Sequence, residues 1–272
     1  MEIFYDGFLT EPRLDHPEGV AVHPDGSVWC GGEAGQLYRI EADASAAAVV
    51  ASTGGFLLGV AVEPAGDAVY ACDIAHRAVF RYDIATGALD RFATGADGVA
   101  FRNPNAIAFN RDGSALYVTD SYPVDEPGPS VFRFTVDGAG EVWYGEPSAF
   151  ANGVALAPDG SALYVAESFL PGVRRIAIDL TTGAAGAREL VAELPGTVPD
   201  GLAFGPDGLL YVGCYEPSQI LRLGEDGAVE VVARDPTAHV LCHPTNLAFR
   251  TDGLLIAANL GRWHLTAVGR TT

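Results

Sequence analysis

With 272 residues, 49% of them hydrophobic, the chain can bury a large core. Its 35 acidic against 16 basic residues give a formal net charge of -19, which repels nucleic acid and anionic bilayers over most of the surface and leaves a small molecule as the expected partner. All 16 basic residues are arginine, so Schiff-base chemistry and a lysine general base are excluded.

The chain opens on a lone strand pattern, EIFYDGF from Glu2, with no basic stretch and no apolar run of the ~18 residues a membrane span needs; a cytoplasmic protein is expected. A repeat then begins: a small or apolar G-V-A-V element, a P-D-G-like turn and an aromatic strand. The copies are GVAVHPDGSVW from Gly19, GVAVEPAGDAVY from Gly59, AIAFNRDGSALY from Ala106, GVALAPDGSALY from Gly153, GLAFGPDGLLY from Gly201 and NLAFRTDGLLI from Asn246, spaced by 40, 47, 47, 48 and 45 residues. Further strands follow within each period, such as SVFRFTVDG at Ser130, QILRLGEDG at Gln219 and VEVVAR at Val229. Four strands per roughly 40–50 residues is the size of a propeller blade. The last copy lacks a fourth strand after LTAVGR at Leu265, so the N-terminal strand is expected to close the ring. The prediction is an all-β, six-bladed β-propeller forming one domain over residues 1–272. Cys30, Cys72, Cys214 and Cys242 have no zinc-type spacing and are expected to be free, mostly buried thiols.

Aligning the repeats on their turns, the residue before each G-V-A-V element is Glu18, Leu58, Asn105, Asn152, Asp200 and Thr245. First strands of propeller blades line the central channel, so these positions converge on the axis. Two of the chain's six asparagines stand at this one position. Two carboxylates facing each other across a narrow channel call for a cation. The metal ligands predicted are therefore Glu18, Asn105, Asn152 and Asp200. All-oxygen ligation puts Ca²⁺ first, followed by Mg²⁺, Mn²⁺ or Zn²⁺. Service to backbone groups at strand starts would account for one or two such residues but not for four.

The segments PEGVAV at Pro17, NPNAIAF at Asn103, ANGVALAPDG at Ala151 and PDGLAFGPDG at Pro199 resemble the senescence marker protein/gluconolactonase family, whose relatives include regucalcin, diisopropylfluorophosphatase and, more distantly, the paraoxonases. The resemblance implies lactonase or related hydrolase activity and a catalytic divalent metal on Glu18, Asn105, Asn152 and Asp200. Where many members carry Asn-Asp, this chain has Asn105-Ala106, which removes a polar group from the substrate side. Arg102 resembles an arginine that sugar lactonases place near the substrate.

Second-strand ends return to the same face and give an outer ring of Gly32, Asp73, Asp120, Glu167, Cys214 and Asn259. Asp120 and Glu167 are candidates to support Asn105 and Asn152 from behind. The loop SYPVDEPGPS at Ser121 is a candidate lid. Phe56, Leu58, Tyr122 and Phe169, with Tyr215, are expected to wall the site beside Arg102 and to suit a substrate less polar than a sugar lactone. His16, His76, His239 and His243 lie near this face, each more ordinary as a loop or packing histidine than as a base. No G-x-S-x-G, H-E-x-x-H or phosphate-loop pattern occurs. The leading expectation is a metal-dependent hydrolase of a lactone or related ester, with Asp200 as base. The alternatives are a lyase, cyclase or isomerase acting on a less polar biosynthetic intermediate, and a non-catalytic propeller that binds metal or a partner.

Overall fold

The computed structural model describes residues 1–224 and 227–270. They fold into a six-bladed propeller of six four-stranded antiparallel sheets, blades 1 to 6, whose innermost strands are Val20–Val22, Leu57–Val62, Pro104–Phe109, Ala151–Leu156, Val198–Phe204 and Pro244–Phe249 in that order, plus a two-stranded hairpin (Gly95–Ala96 with Val99–Ala100) that the repeat did not anticipate. No helix among the described residues is long and apolar enough to cross a membrane. Glu2–Asp6 pairs with His264–Arg270 as the outermost strand of blade 6, so the two ends of the described chain close the ring in one sheet.

Each repeat turn works through the same local chemistry. The six turn glycines, Gly26, Gly66, Gly113, Gly160, Gly208 and Gly253, all have φ between 73° and 89°, a region that only glycine enters at no steric cost. In five of the six turns the preceding residue is an aspartate that accepts a backbone N–H two residues on, as Asp25 does from Ser27 (2.8 Å) and Asp159 from Ser161 (2.9 Å); blade 2 has Ala65 there. Six apolar clusters fill the six interfaces between neighbouring blades; Tyr70, Phe101, Phe132 and Phe134 dominate the one between blades 2 and 3. All four cysteines are free and buried.

The innermost strands carry the feature that builds the site. In blades 2 to 6 the pairing with the second strand slips at one shared place: Leu58-Gly59 face Cys72, Asn105-Ala106 face Thr119, Asn152-Gly153 face Ala166, Asp200-Gly201 face Gly213, and Thr245-Asn246 face Ala258; blade 5 has a second shift at Val198/Pro199. Two residues opposing one is a β-bulge, which bends the strand and re-aims a side chain. Every aligned ring position in these blades is the first residue of its bulge. The residue after it sets how closely first strands approach. A Cβ on Gly19, Gly59, Gly153 or Gly201 would run into the backbone carbonyl of Leu58, Asn105, Asp200 or Thr245 in the next blade. The other two seams are spanned by side chains. Thr119 Oγ1 donates to the Asn152 carbonyl (2.6 Å), and Thr245 Oγ1 donates to the Glu18 carbonyl (2.6 Å).

Candidate metal centre

Glu18, Asn105, Asn152 and Asp200 are each only 4–6% exposed at the top of the channel. Two of them are carboxyls, and burial drives both Glu18 and Asp200 well above the usual carboxylate range; Glu18 is raised further by the charge of Asp200, against an opposing hydrogen bond from Asn246 Nδ2 (3.1 Å). Such a pair cannot be ionised together without a counter-charge between them.

The two asparagines are fixed by a repeated relay. Asn105 Nδ2 donates to Ser121 Oγ (3.0 Å), whose own proton goes to the Ala151 carbonyl of blade 4 (2.6 Å). Asn152 Nδ2 donates to Ser168 Oγ (3.1 Å), whose proton goes to the Pro199 carbonyl of blade 5 (2.7 Å). Because each serine proton is committed to a carbonyl, the serine can only accept from the amide NH₂, which fixes the amide and turns its oxygen away from the serine. Asn105 Oδ1, Asn152 Oδ1 and Asp200 Oδ1 are then buried with no hydrogen-bond partner. Five buried side-chain atoms among the described residues are in that position, and three belong to this one ring. Buried oxygens left without donors are costly, and a hard divalent cation satisfies all of them at once. The residues fit such an ion.

The outer positions behave differently from the sequence expectation. Among the described residues, Asp120 and Glu167 make no hydrogen bond to Asn105 or Asn152; the serines directly after them, Ser121 and Ser168, do. Asp120 instead accepts the backbone N–H groups of Arg102 (2.8 Å) and Asn103 (2.5 Å), clasping the segment that leads into Asn105, while burial pushes its carboxyl up to about 6. Asp73 and Asn259 clasp their own blades in the same way, through the N–H groups of Phe56 (3.4 Å) and Cys242 (2.9 Å). Glu167 is buried in an ion pair with Arg174 (2.7 Å).

The proposed wall splits into parts. Leu58 is buried and Phe56 half-buried, both against the core between blades 2 and 3, together with Ile74. Phe169 is 55% exposed, its ring 4.5 Å from that of Phe150. Tyr122 lies against Gly128 of the candidate lid, and Arg102 is held by Glu126 of the same loop (2.7 Å). That guanidinium is thus already paired, which weakens its reading as a ligand for substrate. Two other features stand apart from the ring. Asp15, His16 and Glu33 cluster at the rim of blade 1, and a cavity of about 660 Å³ lined by Asn110, Arg133 and Asp179 opens at the opposite end, where the P-D-G turns lie.

Residues 122–257, half of the chain, match the SMP-30/Gluconolactonase/LRE-like region family. The chain belongs to that family. Residues 8–40 also match the N-terminal region of strictosidine synthase-like proteins. No protein of curated function matches the chain. Among solved structures, a gluconolactonase from Xanthomonas campestris is 22% identical with a TM-score of 0.76, over 97% of this chain and 88% of that one. Regucalcin from Agrobacterium tumefaciens, a calcium-binding protein, is 18% identical with a TM-score of 0.74 (96% and 92%). A streptogramin B lyase is 16% identical with a TM-score of 0.69 (99% and 97%). At these identities the likeness is one of fold.

Proposed function

We propose that this propeller is a divalent-metal-dependent hydrolase of a lactone or related ester, with its reaction centre at the top of the channel. One observation carries the reading: three partnerless buried oxygens and a Glu18 carboxyl share one ring. Family membership and the named gluconolactonase neighbour support it. Glu18, Asn105, Asn152 and Asp200 would hold the cation, with Ca²⁺ preferred for an all-oxygen set. When bound, such an ion polarises a substrate carbonyl and stabilises the negative charge that develops on its oxygen. Asp200 carries the second role, taking a proton from the attacking water. The serine relays keep the amide oxygens aimed at the axis, and Phe150 and Phe169 provide an apolar flank for the substrate body.

Elemental analysis of the purified protein tests the site. About one divalent ion per chain is expected, together with turnover of a lactone or ester; Asp200→Ala is expected to lose both while remaining folded. A well-folded protein that takes up no ion even with added Ca²⁺ would overturn the proposal. The apolar flank also suits an elimination or isomerisation in which the same polarised carbonyl favours an enolate. Reaction in ¹⁸O-labelled water separates the readings, because only hydrolysis places solvent oxygen in the product.

A further inference from the structure

His243 is held far more tightly than a loop histidine requires. It lies two residues before Thr245, in a left-handed conformation (φ 49°) that is strained for a residue with a side chain. Its N–H donates to Ser218 Oγ (3.0 Å) and its carbonyl accepts from Leu260 (3.2 Å). The imidazole stacks on Tyr215, 4.4 Å between centroids at 24°, and its other side is closed by Gly261, where a Cβ would come within 2.6 Å of Cδ2. Nδ1 lies 3.0 Å from the Tyr215 carbonyl and 3.2 Å from Glu216 Oε1. Both neighbours only accept, so Nδ1 keeps its proton and the exchangeable position is Nε2. Nε2 makes no hydrogen bond among the described residues.

The other histidines lack this combination. His16 occupies the same position one blade on, also left-handed (φ 44°), and its Nδ1 faces the carboxylates of Glu33 (3.2 Å) and Asp15 (3.4 Å), but no backbone carbonyl among the described residues accepts from it and its ring is tilted at 47° to Trp263 rather than stacked. His76 is fixed by Asp73 (2.9 Å) on the outer turn of blade 2, against Phe80. His264 is buried and spends Nε2 on the Val240 carbonyl (2.9 Å), and His23 spends Nε2 on Gly66 in the opposite turn layer (2.9 Å). His239 is placed by its backbone N–H, on Asp235 (3.0 Å). His243 leads into the ring position of its own blade: Thr245, two residues on, abuts Gly201, the neighbour of Asp200, backbone to backbone, and the imidazole stacks on the ring of Tyr215, whose hydroxyl is raised by burial and by the charges of Glu216 and Asp200.

We propose that His243 is the general acid of the reaction, delivering a proton from Nε2 to the leaving oxygen; this rests on the hydrolase reading above. Asp200 takes one proton as the water oxygen bonds to the carbonyl carbon. On collapse the acyl carbon–oxygen bond breaks, its electron pair stays on the leaving oxygen, and protonated His243 supplies that oxygen's proton. Proton transfer from Asp200 back to His243 through solvent restores both groups, and the net reaction is ester plus water to acid plus alcohol.

The test uses His243→Asn, since asparagine tolerates the left-handed backbone. On δ-valerolactone, which must release an alkoxide, kcat is expected to fall by about 10²- to 10⁴-fold. On dihydrocoumarin, a lactone of the same ring size that releases a phenolate needing no proton, the variant is expected to stay within about 3-fold of wild type, because a stable leaving group removes the benefit of general acid catalysis. Equal losses on both lactones, or none on either, overturn the assignment. Asp200→Asn run in parallel separates the two readings. If it abolishes turnover while His243→Asn does not, only the His243 assignment falls; if neither Asp200→Asn nor chelation affects turnover, the metal-hydrolase reading falls. Should wild type open neither lactone, ¹⁵N NMR of the imidazole still decides: the neutral ring is expected as the Nδ1–H tautomer, and an Nε2–H tautomer overturns the assignment.

Discussion

Four of the six seams between neighbouring first strands close on a glycine, and two, between blades 3 and 4 and between blades 6 and 1, close on a threonine hydrogen bond. At a glycine seam two backbones touch with no room for a side chain; at a threonine seam a hydroxyl spans the gap to the next carbonyl. The ring residues are distributed without regard to this division. Asp200 presents its carbonyl to Gly153 at a glycine seam, whereas Glu18 presents its carbonyl to Thr245 at a threonine seam. The bulge and the seam thus form the repeated scaffold, and the side chain on the bulge is a separate layer that varies from blade to blade. Blade 2 makes the separation plain, since it keeps the bulge and the glycine but carries the buried, apolar Leu58 where blades 3 and 4 carry an asparagine bonded to a serine.

The largest effect should come from breaking a glycine seam. Gly153→Val would push a branched side chain into the Asp200 carbonyl and the Gly201 Cα, both backbone atoms that cannot swing aside. A cost of at least about 4 kcal/mol is expected, read as loss of soluble protein or a large drop in Tm. The corresponding change in blade 3, Ala106→Val, should cost markedly less, because that seam already accommodates a Cβ. Equal costs at the two positions would mean that the two kinds of seam do not differ physically.

A pH series in the metal-free protein probes the layer above the scaffold. Burial raises the carboxyls of Glu18 and Asp200 above their unfolded values, so the folded state favours their protonated forms. A group of this kind destabilises the fold as pH rises from its unfolded pKa, about 4, through its raised folded value, and the penalty is complete above it. The expected result is a Tm that falls by several degrees between pH 5 and pH 8 in chelator, with the fall reduced in Asp200→Asn and abolished by Ca²⁺. A Tm that rises over this range in the metal-free protein would contradict the buried, unneutralised pair.

Much of this was legible in the sequence. The period of the G-V-A-V and P-D-G elements gave the six blades, and the empty slot after Leu265 matched the unused strand at Glu2. Reading one residue upstream of each repeat gave Glu18, Asn105, Asn152 and Asp200 as one set. The misassignment was a matter of one residue. Asp120 and Glu167 stand at the second-strand ends, but their carboxyls are drawn off by backbone N–H groups and arginine, and the side chains that reach the asparagines belong to the next residues. The signal was present: serine follows the second-strand end in the two blades with asparagine, while isoleucine follows it in the blade with leucine. The bulges could not be read in advance, because a slip in pairing leaves no mark on the pattern of one strand alone.

That one-residue distinction supplies the finest test. Ser168 Oγ bridges two layers at once, receiving the Asn152 amide and donating to the Pro199 carbonyl across the glycine seam between blades 4 and 5. Ser168→Ala removes both bonds without adding volume, so the seam survives on its backbone contact and the loss of stability should be about 1 kcal/mol. The amide of Asn152, freed from the serine, no longer has its oxygen turned toward the axis by necessity. Metal affinity is therefore expected to fall by about 10- to 100-fold, as when an outer partner of a ligand is removed. Calorimetric titration with Ca²⁺, read beside the Tm, checks both quantities. Loss of stability with unchanged affinity would assign Ser168 to the scaffold, and the reverse would assign it to the metal layer.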